Sequence, residues 1–209
     1  MPGLRDLTLA ELLATRLCHD LSGPASGLLA ALGEADADPG ALDLARESAA
    51  VLRSRMLLLR AAWGAPAPLE GSALRDLAAG LPGGHRLHLA LHDTLTKATL
   101  PGPVARLVVN AMLLAAESLP AGGTIAIAGA PDGSLVVQPE GRGAAWPPGL
   151  GALLANPDAA WAALGDERPQ TLLPALLALL AQAAGVTVRL LLAGTAEAVP
   201  PLLIDLHRA

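Results

Sequence analysis

The chain contains no phenylalanine and no tyrosine, and only 3 tryptophans among its 209 residues. Its interior must therefore be built from alanine, leucine and valine, within a hydrophobic share of 53%. A single cysteine excludes an internal disulfide and suits a reducing cytoplasm, where we expect the protein to reside. Basic residues are not in excess: the formal charge of -5 argues against a nucleic-acid partner, which needs a basic face. No basic-then-apolar leader opens the chain, so secretion is not expected. The one long uncharged run, Thr171 to Val188, holds Pro174, Gln182 and Gly185, and Arg189 follows at once. It reads as a buried helix turning into a strand, not as a membrane span. A P-loop and a Gly-x-Ser-x-Gly elbow are also missing.

What is there begins with two matched helices. Thr8-Leu9-Ala10-Glu11 has the spacing of a capping box, with Leu7 and Leu12 placed as a hydrophobic staple. That start predicts a helix up to Gly33, a left-handed terminator. Asp38 then caps a second helix with Pro39 at its first position, running to Trp63 and ended by Gly64. Each has about 24 residues, roughly 36 Å in length, and the short loop between them makes them antiparallel.

Apolar residues recur along both at alternating steps of three and four, the seam of helices packed at a shallow angle. In the first they are Ala10, Ala14, Leu17, Leu21, Pro24, Leu28 and Ala31; in the second, Leu42, Ala45, Ala49, Leu52, Met56, Leu59 and Trp63. Leu9, Leu13, Leu44, Val51 and Leu58 widen the stripes beyond what a lone hairpin covers. We therefore expect residues 1–64 to be a dimerisation domain whose two copies form a four-helix bundle. The alternative is that the hairpin packs on the rest of its own chain.

His19 falls off this seam. Leu17 and Leu21 each lie two residues away, about 200° around the axis, so the imidazole points outward. Thr15, Arg16, Ser22, Gly23 and Ser26 share its face, and most are small, which leaves a clearing that another protein could approach. Cys18 lies on the apolar flank and reads as packing. Pro24 has no amide hydrogen, so the Asp20 carbonyl loses its helical partner and a kink is expected. An exposed helical histidine is ordinarily just a surface residue; here the surrounding pattern sets it apart.

That pattern, Arg16-Leu-Cys-His-Asp-Leu-Ser-Gly-Pro24, resembles the phosphoacceptor box of two-component histidine kinases, where an acid follows the histidine and a proline stands five positions on. With its Arg-Leu-Cys lead-in it is similar to the ChpT-type histidine phosphotransferases of bacterial phosphorelays. The resemblance implies an α+β chain. A helical hairpin, residues 1–64, forms the bundle of a homodimer, and residues 65–209 form a degenerate kinase-like ATP-binding domain. It implies that His19 is the phosphoacceptor and that the partners are response regulator receiver domains, with a hybrid histidine kinase as a further candidate. No cofactor of its own is implied, since Mg²⁺ comes with the receiver. The family usually carries polar, often Asn-bearing residues after the proline, whereas Ala25, Ser26 and Gly27 stand here.

The second half fits that order. After the linker Gly64–Gly71, Leu74 to Leu81 reads as a short helix and His85 to Asp93 as an alternating strand. Val104 to Leu119 reads as a helix, and strands start at Thr124 and Ser134. An apolar helix over Gln170 to Ala184 precedes strands near Val186 to Leu192 and Leu202 to Leu206. Such alternation suggests an α/β sandwich with the sheet covered on one face. The kinase chemistry is missing, however. Asn110 stands at the first position of the kinase N-box, but Leu114 replaces the second asparagine, which ligates magnesium. Pro139 replaces the adenine-binding aspartate, leaving only Gly141 and Gly143, and no glycine-rich lid precedes the Thr171 helix. Nucleotide binding is accordingly not expected, and Asn110 reads as a helix-surface or structural residue.

His85, His88 and His92 have spacings that on a helix would suggest metal ligands, but on a strand only His88 and His92 share a face, so no metal site is expected. His207 reads as a solvated strand end. The reading is then a phosphorelay intermediate: His19 takes a phosphoryl group from one receiver aspartate and gives it to another. Asp20 would hold the ring in one tautomer or favour its imidazolium-like phosphorylated form, and Arg16 would meet the phosphoryl oxygens or an acidic rim of the receiver, unless Arg16 is an ordinary solvated residue. A non-catalytic dimeric scaffold and an ATP-dependent kinase are the alternatives. A phosphatase role is disfavoured because Gly23 stands where related kinases carry Thr or Asn.

Overall fold

Pro2 suits the first turn of a helix, and Leu7, Leu9, Leu12 and Leu13 favour its continuation. In the computed structural model, which describes residues 2–36, 38–130, 132–165, 169–194 and 198–207, helix α1 accordingly runs unbroken over Pro2–Glu34. The capping box expected at Thr8 is thus overturned, because Thr8 already lies inside the helix. Gly33 does not terminate it in the left-handed region either; it is helical, and the chain turns at Ala35 and Asp36. The helix continues through Pro24. Helix α2 spans Pro39–Trp63 as expected, with the Asp38 carboxylate accepting from the Gly40 amide at 2.8 Å. Gly64 ends it in an extended conformation, its amide donating to the Arg60 carbonyl.

The remaining elements are β1 (Leu69–Glu70), α3 (Ala73–Ala78), β2 (Leu87–Leu91), α4 (Asp93–Thr96), β3 (Thr99–Leu100) and α5 (Gly102–Glu117). Then follow β4 (Gly123–Gly129), β5 (Ser134–Glu140), α6 (Leu150–Ala155), α7 (Pro157–Leu164), α8 (Pro169–Ala184), β6 (Thr187–Leu190) and β7 (Leu202–Asp205). Five strands form a mixed sheet in the order β2-β4-β5-β7-β6, with β2 parallel to β4 and the other pairs antiparallel. Strands β1 and β3 make a separate antiparallel pair. The class is α+β, a helical hairpin followed by a mixed sheet with helices, as expected.

Helix α5 organises the core. Apart from Arg106, Asn110 and Glu117 it is apolar or small, and it is buried almost throughout, the signature of a central helix. Ile125, Ile127, Leu135 and Val137 of the sheet alternate inward and join its core cluster, while Leu58 and Ala62 bring the end of α2 into the same cluster. Each such leucine or isoleucine contributes about 2 kcal/mol by leaving water. The turn from α5 into β4 depends on Gly122. Its φ is +80°, and a Cβ there would lie 2.5 Å from the Arg86 carbonyl oxygen.

The hairpin rests partly on its own chain. Leu9, Leu12 and Leu13 of α1 pack against a second cluster formed by α7 and α8, including Ala160, Leu164 and Leu172. Part of the stripe stays open, with Leu17 39% exposed, Leu42 43% and Met56 54%, while Ala31, Ala45 and Leu59 are buried. The run from Thr171 to Val188 is a buried helix leading into β6, and no helix of the described residues is long and apolar enough to cross a membrane. The strand expected over His85 to Asp93 shrinks to Leu87–Leu91. His85 falls in a 3₁₀ turn, and His92 caps α4 by accepting from the Thr94 amide.

Candidate functional site

Arg16, His19 and Asp20 occupy successive positions on one side of α1, where periodicity turns them away from the open apolar stripe. The His19 side chain is 84% exposed. Asp20, at 9%, is tucked against the hairpin, and its Oδ1 lies 3.2 Å from His19 Nδ1. A carboxylate can only accept, so this contact selects the tautomer with hydrogen on Nδ1. The lone pair is then on Nε2, facing solvent, and an exposed nitrogen nucleophile results.

Asp20 is itself held in place. Arg16 Nε donates to its Oδ2 at 3.0 Å, and Arg16 Nη2 donates to Glu117, the last residue of α5. Arg16 is therefore a tie between the histidine-bearing helix and the sheet-bearing half, not an ordinary solvated residue. Burial opposes its charge, but the Glu117 and Asp20 carboxylates outweigh that, so its guanidinium is held above its usual value. From α2 a second guanidinium approaches. Arg55 has its Nε and Nη1 buried with no acceptor among the described residues. Burial pushes its pKa down, Asp20 partly offsets this, and the neighbouring charge of Arg16 adds to the lowering.

The sequence did not single out Arg55 or Glu117. Arg55 carried a signal: it follows Leu52 by three residues and precedes Leu59 and Ala62 by four and seven, a charge within the apolar repeat of α2. Glu117 carried none, being 101 residues from Arg16.

The clearing around His19 is present. Thr15, Ser22, Gly23 and Ser26 are exposed, and nothing lies within 4 Å of where a Gly23 Cβ would stand. The Ser22 hydroxyl turns back to the Cys18 carbonyl at 2.6 Å, and Pro24 is half-buried. Cys18 is exposed rather than packed, a correction: spacing places a residue on a face but does not decide what covers it. On the opposite side of the hairpin, apolar hollows of about 420 and 370 Å³ share Met56. They join Leu17, Leu21, Leu28 and Leu52 into one trough.

The kinase-like positions have other employment. Asn110 is buried; its Oδ1 accepts from Trp63 Nε1 at 3.1 Å, and its Nδ2 donates to the Ala62 and Arg106 carbonyls. It pins the end of α2 to α5, the structural one of the two roles expected. Asn110→Ala is expected to cost about 2–4 kcal/mol by stranding those buried groups, read as a lower midpoint in denaturant unfolding. Leu114 is fully buried in the core. Pro139 pairs with Ile125 on β4 and lies beyond the part of β5 that β7 covers, so its missing amide interrupts no ladder on that side. Helix α8 begins at Pro169, while Arg168 lies outside the described residues. Among the described residues no cluster of His, Cys, Asp or Glu could hold a metal ion. His207 is exposed beyond the end of β7.

Comparison with known proteins adds two findings. A family model described as the histidine phosphotransferase C-terminal domain matches residues 72–196, more than half of the chain. The fold is similar to a solved structure of a bacterial phosphotransferase, at 22% identity, with a TM-score of 0.70 and 95% of each chain covered. No curated protein matches the sequence.

Proposed function

The chain belongs to the histidine phosphotransferase family, through its C-terminal domain, and from that membership we propose that it relays phosphoryl groups between receiver domains by way of His19. The observation that carries this reading is the outward imidazole whose Nδ1 is held by a carboxylate. In the first step Nε2 attacks the phosphorus of a receiver's aspartyl phosphate. The P–N bond forms as the P–O bond to the receiver carboxylate breaks, and that carboxylate leaves with the electron pair. The ring keeps its Nδ1 hydrogen, and the positive charge it acquires faces Asp20. The reverse step delivers the group to a second receiver, or takes it first from a hybrid kinase. Such transfer needs mainly positioning and charge neutralisation, and Arg16, one turn from His19, supplies both. Mg²⁺ belongs to the receiver in this scheme.

ATP plays no part. Leu114 offers no oxygen to a hard cation, Pro139 offers no acceptor to adenine, and the Asn110 amide is already bonded. The test is to compare two donors. Label from a phosphorylated receiver, acid-labile and base-stable, is expected on the chain, and none from ATP alone. Label from ATP would make it a kinase, and receiver binding without label would make it a scaffold.

The trough through Leu17, Leu21 and Met56 is the surface on which two copies pair into a four-helix bundle, with His19 on the far side and open to a visitor. Met56→Glu places a charge in that surface. It is expected to halve the mass seen in sedimentation equilibrium while leaving helix content intact.

A further inference from the structure

Two arginines face Asp20, and among the described residues only one of them is bonded: a Cβ on Gly27 would meet Ser48 Oγ at 3.6 Å across the hairpin, and one heptad along each antiparallel helix brings Asp20 level with Arg55. Arg16 spends its Nε on Asp20 and its Nη2 on Glu117, whereas Arg55 keeps Nε and Nη1 buried with no acceptor among the described residues. Buried donors without partners are rare, because they have given up water for nothing. A half-buried guanidinium with two nitrogens in that condition is rarer, and α2 could have closed this gap with a leucine at the same step of its repeat. The unspent hydrogen bonds of Arg55 therefore point to a second arrangement of the same four side chains.

Resting on the relay reading above, that arrangement is the phosphorylated one. A phosphoryl group on His19 adds roughly two negative charges and three acceptor oxygens within a turn of Arg16. Arg16 turning to those oxygens must let go of Asp20, which is too enclosed to be left without a cation. We infer that Arg55 is a positioning residue which takes the Asp20 carboxylate when Arg16 turns to the phosphoryl group. Asp20 then stays paired in both states, and its hold on His19 Nδ1 survives the exchange. Glu117, released by Arg16, lies at the outer end of α5 and can meet solvent.

The test follows the arginine side chains themselves. The full-length chain, ¹⁵N-labelled at arginine, is loaded on His19 with phosphoramidate, and the Nε–H resonances are assigned with Arg55→Lys and Arg16→Lys. Loading is expected to shift the Arg55 resonance downfield and slow its exchange with water, with no such change in His19→Ala. A fully loaded His19 beside an unmoved Arg55 resonance overturns the inference. The kinetic arm uses a phosphorylated receiver. Arg55→Met is expected to slow the transfer step about tenfold with KM within about twofold, while Arg55→Lys restores most of the rate. The melting temperature of Arg55→Met is expected to equal or exceed that of the parent, since a half-buried charge with two unpartnered nitrogens has been removed. Loss of rate together with loss of stability, unrescued by lysine, marks Arg55 as structural and overturns its role. A chain that loads from phosphoramidate but takes nothing from any receiver overturns the relay reading instead, so the two failures are distinguishable.

Discussion

Asp20→Asn is expected to slow phosphoryl transfer about 10²-fold while leaving His19 in place and exposed. The amide can still lie near Nδ1, but it no longer restricts that nitrogen to donating, so a share of the rings carries hydrogen on Nε2 and cannot attack. It also withdraws the charge that faces the ring once the phosphoryl group is on it. A second effect is structural. Arg16 and Arg55 lose the carboxylate between them, and two neighbouring guanidinium groups are left with only Glu117, at an expected cost of about 2 kcal/mol in stability. Single-turnover transfer from a phosphorylated receiver, at saturating receiver, reads the first effect; urea unfolding reads the second. Unchanged transfer in this variant would mean that the 3.2 Å contact does not set the tautomer.

His19→Ala is the larger effect and the cleaner one. Acid-labile, base-stable label from a phosphorylated receiver is expected to fall to background, because the clearing holds no other imidazole: Thr15, Ser22 and Ser26 carry hydroxyls and Cys18 a thiol, and His85, His88 and His92 belong to the far half of the sequence. Stability is expected to move by less than about 0.5 kcal/mol, since the ring is mostly in water already. Filter-bound label and a melting curve on the same preparation separate the two. Label persisting at the parent level would transfer the role to another residue.

The outline of this fold was legible wherever a local rule acted alone. Asp38-Pro39 announced α2, and the alternation in Thr124–Gly129 and Ser134–Pro139 announced the central hairpin of the sheet. Asn156-Pro157-Asp158 carries the same signal as Asp38-Pro39 and starts α7, where Asn156 caps two amides; that signal went unread because the following eight residues are too few for a clear period. The start of α1 was misplaced because capping spacing at Thr8 competes with good helix formers before it, and propensity prevailed. The β1–β3 pair was beyond local rules, being two residues long on each strand and set by the folding-back of the linker.

The site divides the same way. His19, Asp20 and Arg16 lie within two turns, so their shared face followed from the helical repeat alone. Glu117 reaches Arg16 only because α5 packs beneath the hairpin, a contact that no spacing along the chain encodes. Arg55 was readable as a charge in an apolar repeat, but its meaning depends on the buried neighbours that the fold brings to it. Cys18 shows the converse error. Spacing put it on an apolar flank, yet it is exposed, because the helical repeat says which face a residue takes and not what covers that face.

The central claim is that Nε2 of His19, freed by the grip of Asp20 on Nδ1, is the atom that carries the phosphoryl group. Long-range ¹⁵N–³¹P correlation on the chain, histidine-labelled and loaded by a phosphorylated receiver, reads that atom directly. A single phosphorus coupled to Nε2 of His19 is the expected result. Phosphorus on Nδ1, on another histidine, or on none would contradict the account.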